Sequence, residues 1–372
     1  MIESHVIQGD CLEVMQGMAD NSIDFLVTDP PYGLKFVGKR WDYDIPSVEV
    51  WKEALRVCKP GCMAAVFGGS RTFHRLAVAL EDAGWEIRDT IMWLYGSGFP
   101  KSHNFGKKLG GEWGGYGTAL KPAFEPVTIC MKPLHGTFAQ NAEKWGVAGI
   151  NVDACRVGNM PRTTHKDGNY KGKGNDLYQS GLKNGYYSKG SKSRWPANII
   201  LDEEAAKALD EMSGVSKSSG GDGYKNSMFC GGKKTGGHGK GDIGGASRFY
   251  YCAKASTKER NEGLGGMPLK EGGIKNDSGR GFSQMDPYAK IMVANNHPTV
   301  KPIALMKYIL KLLAPPNTPT CLDPFCGSGT TLLAAYELGI SCIGIEREAK
   351  YCEIANKRLE SIKKKSVQFS LC

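Results

Sequence analysis

Short apolar runs alternate with amphipathic stretches over residues 1–132. Val6–Gln8 and Ile23–Thr28 are β-type runs that end in turn residues. From Pro46-Ser47 onward, Val50, Trp51, Ala54, Leu55 and Val57-Cys58 share one face, which predicts a helix over 46–58. Pro60-Gly61 stops that helix, and Met63–Phe67, apolar at every position, reads as a fully buried strand. A second helix is expected over Arg71–Ala83, ended by Gly84, then strands over Glu86–Leu94 and Phe124–Met131. Strand, helix, strand, helix is the pattern of a parallel α/β sheet.

The pattern then dissolves. Nine lysines and arginines face two acids in the 46 residues 155–200, and Tyr170, Tyr178, Tyr186, Tyr187 and Trp195 are interleaved with them. Twelve of the 33 residues 213–245 are glycine, with Lys225, Lys233, Lys234 and Lys240 between them, a loop composition. Periodicity returns after His297. An amphipathic helix is expected over Pro302–Leu313, stopped by Pro315-Pro316. A strand follows at Thr320–Leu322, a helix over Thr330–Leu338 ended by Gly339, a strand at Ser341–Ile345 and a terminal helix over Ala349–Lys363. Two α/β blocks therefore flank an irregular basic insert, and one sheet built from both chain ends is the simplest assembly.

Composition narrows the class. With 372 residues, 41% of them hydrophobic and 23% charged, the chain has the make-up of a globular protein. Its apolar runs, such as Ala64-Ala65-Val66-Phe67, fall far short of the roughly 18 residues that span a bilayer. No basic stretch followed by an apolar run opens the chain, so a cytoplasmic location and no membrane partner are expected. The net charge of +10 suits a polyanionic partner, and +7 of it sits in residues 155–200. Twelve cysteines without a Cys-x-x-Cys pair read as buried thiols. Cys230, His238 and Cys252 make a poor zinc set, and no metal is expected.

Two motifs carry chemistry. Thr28-Asp29-Pro30-Pro31-Tyr32-Gly33 directly follows the run Ile23–Val27, and open α/β sheets bind ligands at such strand ends. Two prolines stiffen the loop and remove two N–H donors, leaving fixed carbonyl acceptors. A carboxylate (Asp29), a fixed carbonyl (Pro30) and an aromatic face (Tyr32) suit a planar base bearing an exocyclic amine. The second motif, Asp323-Pro324-Phe325-Cys326-Gly327-Ser328-Gly329-Thr330-Thr331, lies between a strand and a helix. Its glycines let the backbone approach a ligand, and the helix start favours negative charge. It is neither the dinucleotide fingerprint, which needs a third glycine, nor a P-loop. Glu346, seventeen residues after Gly329, ends the next strand, where an acid can accept from ribose hydroxyls.

These motifs, in the order Asp-Pro-Pro-Tyr, basic middle, His297-Pro298-Thr299-Val300-Lys301-Pro302, then Asp-Pro-Phe-Cys-Gly-Ser-Gly-Thr-Thr, resemble the β group of S-adenosylmethionine-dependent DNA amino-methyltransferases. Gln8-Gly9-Asp10-Cys11-Leu12 fits as well, and the resemblance covers about 1–132 and 290–360. It implies a Rossmann-like mixed sheet of seven strands, with a catalytic and cofactor-binding domain over 1–132 and 290–372. The remainder, 133–289, would be the target-recognition region.

Carried over residue by residue, the resemblance makes Asp29, Pro30, Pro31 and Tyr32 the catalytic face. It sets Asp10 and Cys11 at the cofactor's adenine, Thr299 and Lys301 near its carboxylate, and Glu346 at its ribose. Asp323, Phe325, Cys326, Gly327, Ser328, Gly329 and Thr330 would form the cofactor turn. Phe99 and His103, on the Gly96–Asn104 loop, would wall the base pocket, and Lys39, Arg40 and Trp41 would touch the strand backbone. Lys171, Lys173, Lys189 and Lys192 would anchor DNA phosphates. The substrate implied is double-stranded DNA with the target base flipped out, at a cost of a few kcal/mol. Asp before Pro-Pro-Tyr favours adenine N6, with cytosine N4 as the alternative and a non-catalytic nucleic-acid binder behind it. RNA or protein amide methylation, whose motif is Asn-Pro-Pro-Tyr, fits Thr28-Asp29 less well. A homodimer and a separate restriction endonuclease are both compatible partners.

Overall fold

The computed structural model describes residues 2–34, 42–96, 102–158, 193–217, 243–253, 261–265, 267, 270–272, 291–295, 297, 300–317 and 319–370. In chain order, β1 (Ser4–Gln8), α1 (Cys11–Gln16), β2 (Ile23–Thr28), α2 (Val48–Val57), β3 (Cys58–Phe67) and α3 (Phe73–Asp82) come first. They are followed by β4 (Glu86–Leu94), α4 (Gly106–Leu109), β5 (Phe124–Met131), α5 (Phe138–Trp145), β6 (Ile199–Leu201) and α6 (Glu203–Ser213). Short strands β7 (Ser216–Lys217), β8 (Ile243–Gly244), β9 (Tyr251–Cys252), β10 (Lys270–Gly272) and β11 (Ile291–Val293) come next. The chain closes with α7 (Ile303–Leu313), β12 (Thr320–Asp323), α8 (Thr330–Glu337), β13 (Ser341–Glu346) and α9 (Ala349–Ser370).

One mixed sheet runs in the order β1-β13-β12-β2-β3-β5-β4-β6-β9. The two chain ends do interleave, since β12 and β13 lie between β1 and β2. The sheet has nine strands rather than the expected seven. The additions, β6 and β9, come from the stretch read as irregular insert. Neither is long enough to show a period, but the edge of β4 pairs Met92–Leu94 with Ile199–Leu201. Only β5 runs against both of its neighbours. Its interior and those of β2, β3 and β12 are nearly continuous buried apolar runs, as strands covered on both faces must be.

This topology gathers the motifs. Parallel β1, β13, β12, β2 and β3 all end at one edge of the sheet. Asp10, Glu346, Asp323 and Asp29 therefore lie at or just past that edge. Because β5 is antiparallel, the same edge receives its beginning, with Val127 opposite Phe67.

Other expectations shift locally. Pro60-Gly61 does not end an element but lies inside β3. Ile23 pairs with Cys58 and Phe25 with Met63, so the extra residues form a bulge. Gly61 has φ +78°, and a Cβ there would lie 2.3 Å from Asn141 Nδ2. That buried amide donates to the Pro60 and Val147 carbonyls at 2.8 and 2.6 Å. Helix α7 is buried on nearly every face rather than on one stripe. Helix α5 was not expected, although Thr137 and Gln140 form a capping box at its start. Cys58, Cys62, Cys321 and Cys326 are buried thiols. Among the described residues, no helix is long and apolar enough to cross a membrane, and no cluster of side chains could hold a metal ion.

The chain divides into two compact units. The first comprises Met1–Cys155, Asn198–Ala205 and Cys252–Cys372. It takes in residues beyond 132 and before 290 that the sequence assigned to the insert. The second comprises Arg156–Ala197 and Ala206–Tyr251. Within it, Val157 pairs with Arg194 and β7 with β8. Asp210 accepts from the Ser247 amide and hydroxyl at 2.8 and 2.7 Å, which lowers its carboxyl pKa.

Candidate active site

The loop after β2 is fixed from outside. Buried Asp42 accepts the Tyr32 and Gly33 amides at 2.8 and 3.0 Å, and the Thr72 hydroxyl donates to the Tyr32 carbonyl at 2.7 Å. Gly33, at φ +68°, makes a turn that few other residues tolerate. Pro30 is buried, while Asp29, Pro31 and Tyr32 are half-buried.

Lys301 enters this loop. Only 8% exposed, its ammonium lies 2.6 Å from Asp29 Oδ2, 3.1 Å from Glu125 Oε2 and 3.2 Å from the Tyr32 hydroxyl. It also lies over the rings of Tyr32 and Phe67, at 5.4 and 5.1 Å. The Tyr32 hydroxyl is 2.7 Å from Asp29 Oδ1 and 3.0 Å from Glu125 Oε2. Burial alone would lower the Lys301 pKa; Asp29 and Glu125 outweigh it and hold the ammonium above the usual lysine range. Burial, then Asp29 and Glu125, push the Tyr32 phenol well up, so it keeps its proton. Tyr95 is pushed up to about 12 by burial and Glu125.

Next to this loop lies the glycine turn. The Thr28 hydroxyl donates to Asp323 Oδ1 at 2.6 Å, joining the end of β2 to the end of β12. The same oxygen accepts the Phe325 amide at 3.1 Å. Burial raises the Asp323 pKa from 3.8 to about 6 despite these bonds. Gly327 and Gly329 have φ of +53° and +82°. A Cβ on Gly327 would come within 2.8 Å of His297 Nε2, and one on Gly329 within 2.9 Å of Ala355. From α9, buried Arg358 donates to the Ser328 carbonyl at 2.7 Å and reaches the Ser328 and Thr330 hydroxyls at 3.3 Å. Buried Asn295 donates to the Ser328 hydroxyl at 3.2 Å and accepts the His297 amide at 3.1 Å. Cys326 is buried, and its thiol pKa is pushed well up by that burial.

At the neighbouring strand ends, the Gly9 amide donates to the Glu346 carbonyl at 3.1 Å, and Asp10 caps α1 through the Leu12 amide at 2.9 Å. Burial raises the Glu346 carboxyl, while the Glu348 amide, 2.8 Å away, opposes it. Burial and Asp10 raise the Cys11 thiol to about 12. Two acids at adjacent strand ends can accept from a diol, and a glycine turn opening a helix can receive a carboxylate. These donor and acceptor sets fit the two ends of S-adenosylmethionine.

The family model for DNA methylases matches residues 23–357. The chain belongs to the DNA methylase family. Over 67 residues the chain is 48% identical to the type II methyltransferase M.HinfI of Haemophilus influenzae, a match covering 18% of each protein. Over 68 residues it is 47% identical to the type II methyltransferase M2.DpnII of Streptococcus pneumoniae, covering 18% of this chain and 25% of that one. The matched segment thus spans a quarter or less of these relatives. Among solved structures, that of the M1.HpyAVI–SAM complex is 19% identical, with a TM-score of 0.42 and coverage of 95% and 98%. PvuII DNA methyltransferase (cytosine-N4-specific) is 15% identical, with a TM-score of 0.48 and coverage of 98% and 92%.

Asp29, Tyr32 and Lys301 meet directly, and Asp323–Thr330, Asp10 and Glu346 lie at the same sheet edge. The ammonium of Lys301, expected near a cofactor carboxylate, is bound to the carboxylates of Asp29 and Glu125. Exposed His103 has its amide bonded to the Thr118 hydroxyl at 2.9 Å, on a loop braced by Ser102. Lys39, Arg40, Trp41, Phe99, Lys171, Lys173, Lys189, Lys192 and Thr299 lie outside the described residues. Sequence reasoning missed Glu125, Asp42, Asn295 and Arg358. Glu125 had one signal, as the only charged residue in the stretch Phe124–Met131.

Proposed function

We propose that this methylase transfers a methyl group from S-adenosylmethionine to the exocyclic N6 amine of adenine in duplex DNA, with the base flipped out of the helix. The observation that carries this reading is the Asp29–Tyr32–Lys301 cluster, held beside the glycine turn by the Thr28–Asp323 bond of 2.6 Å. Family membership supports DNA as the substrate.

When bound, S-adenosylmethionine supplies an electrophilic methyl on a positively charged sulfur. Asp10 and Glu346 would accept from its hydroxyls and amine, and the turn Phe325–Thr330 would hold its carboxylate end. An aromatic amine is a weak nucleophile because its lone pair is delocalised into the ring. Asp29 and the Pro30 carbonyl, each accepting one amine hydrogen, turn that pair toward the methyl, and Tyr32 supports the ring face. Placement and fixed charge carry the step. The nitrogen–methyl bond would form as the sulfur–methyl bond breaks, a neutral thioether would leave and the amine's surplus proton would pass to solvent, with no covalent intermediate on the chain.

The test is direct. The chain is incubated with S-adenosylmethionine and unmethylated duplex DNA, and the DNA is digested to nucleosides for mass spectrometry. N6-methyladenine is expected. N4-methylcytosine would overturn the base assignment, and the absence of any new base the whole reading.

A further inference from the structure

The phenol of Tyr32 carries one hydrogen, and two acceptors compete for it: Asp29 Oδ1 at 2.7 Å and Glu125 Oε2 at 3.0 Å. The Lys301 ammonium has three hydrogens and can serve Asp29, Glu125 and the phenol oxygen together. In the arrangement observed, the phenol bonds one oxygen of Asp29 and the ammonium the other. An incoming amine would meet an Asp29 carboxylate whose Oδ1 already receives the phenol and whose Oδ2 the ammonium. Turning the phenol hydrogen toward Glu125 is a rotation about one C–O bond, and no proton changes owner.

We propose that Glu125 is a positioning residue for methyl transfer. It receives the phenol hydrogen and keeps half of the lysine's ion pair while Asp29 engages the amine. The inference rests on the reading that Asp29 accepts that amine. Two costs explain why a second carboxylate is needed. Without Glu125, a phenol turned from Asp29 would lose its acceptor in a buried site, and unmet buried donors are expensive. Lys301, nearly enclosed, would also have to share its one remaining carboxylate with the substrate. The topology makes the placement natural, because antiparallel β5 begins where its parallel neighbours end.

Steady-state kinetics with tritiated S-adenosylmethionine and unmethylated duplex DNA test this on Glu125→Gln and Glu125→Leu, each alone and with Tyr32→Phe. Glutamine keeps a neutral acceptor for the phenol, and leucine keeps none. Glu125→Gln is expected to lower kcat about tenfold and Glu125→Leu about tenfold more, with both KM values within about threefold. In the Tyr32→Phe background the gap between glutamine and leucine narrows, because the phenol hydrogen is gone and only the contact with the Lys301 ammonium still separates them. A gap undiminished without the phenol, an unchanged kcat, or losses confined to KM or melting temperature would overturn the proposal. Should Glu125→Leu fail to fold, Glu125→Gln must still cost less in the Tyr32→Phe background than alone. Asp29→Ala is assayed alongside. If it still methylates DNA, the reading of Asp29 fails, whatever the Glu125 variants show.

Discussion

Asp29 touches both the phenol of Tyr32 and the ammonium of Lys301, so its removal could act through the fold or through the chemistry. The second partner of Lys301 separates the two. With Asp29→Ala the ammonium keeps Glu125 at 3.1 Å and is not left unpaired. The variant should therefore fold and bind S-adenosylmethionine while methyl transfer disappears. Transfer within tenfold of the parent, roughly 1.4 kcal/mol of barrier, would remove Asp29 from the chemistry. Tyr32→Ala should lose more activity than Tyr32→Phe, since only the latter keeps a ring face for stacking.

Asp323 supplies a second test, one of pH. Folding raises its pKa from 3.8 to about 6, mainly by burial. Between these values the folded chain binds more protons than the unfolded one. This group's contribution is thus fully present below the unfolded value and is lost as pH rises through about 6. Asp323→Asn has no such titration and can still accept from Thr28 and Phe325. Urea unfolding of parent and variant from about pH 4 to about pH 7 should show a steeper loss of stability in the parent. Equal pH dependence would mean that the carboxyl titrates alike in both states.

At the scale of elements, the turn between β12 and α8 is braced by a helix that begins twenty residues later. Arg358→Met keeps most of the buried stem but removes the donors to the Ser328 carbonyl and the two hydroxyls. The Ser328 hydroxyl keeps Asn295, but the Ser328 carbonyl and the Thr330 hydroxyl lose this donor, which should cost about 1–3 kcal/mol, read as a lower melting temperature. Cofactor affinity, measured by calorimetry, should fall with it. Full affinity would show that the turn holds its shape without α9. This brace was not legible in the sequence, nor was the meeting of Lys301 with Asp29, 272 positions apart. Both depend on which strands neighbour one another. What was legible is local: strand ends followed by Asp-Pro-Pro-Tyr or by Gly-x-Gly, and the helices over 48–57 and 73–82. Strand β6 shows the boundary between the two. Three apolar residues after a basic run carry no period, and only the free edge of β4 makes them a strand.

At the scale of the whole molecule, the charge is placed unevenly. The +7 within residues 155–200 accounts for most of the total of +10, and five aromatic residues lie among those charges. Lysine and arginine neutralise phosphates and release counterions, which gives affinity and salt dependence but no sequence discrimination. If this segment holds DNA in that way, replacing Lys171, Lys173, Lys189 and Lys192 together by alanine should weaken binding to every duplex. The plot of log affinity against log salt should flatten by about 0.9 for each phosphate no longer neutralised, up to about 3.6 for four. Cofactor affinity should hardly move, because the acids and the glycine turn that would hold the cofactor are other residues, Asp10, Glu346 and Phe325–Thr330. Filter binding at several salt concentrations, with matched calorimetry of the cofactor, reads both quantities. A quadruple variant with the parent's DNA affinity and salt slope would make these lysines solvated surface. DNA recognition would then have to be sought in residues 246–296.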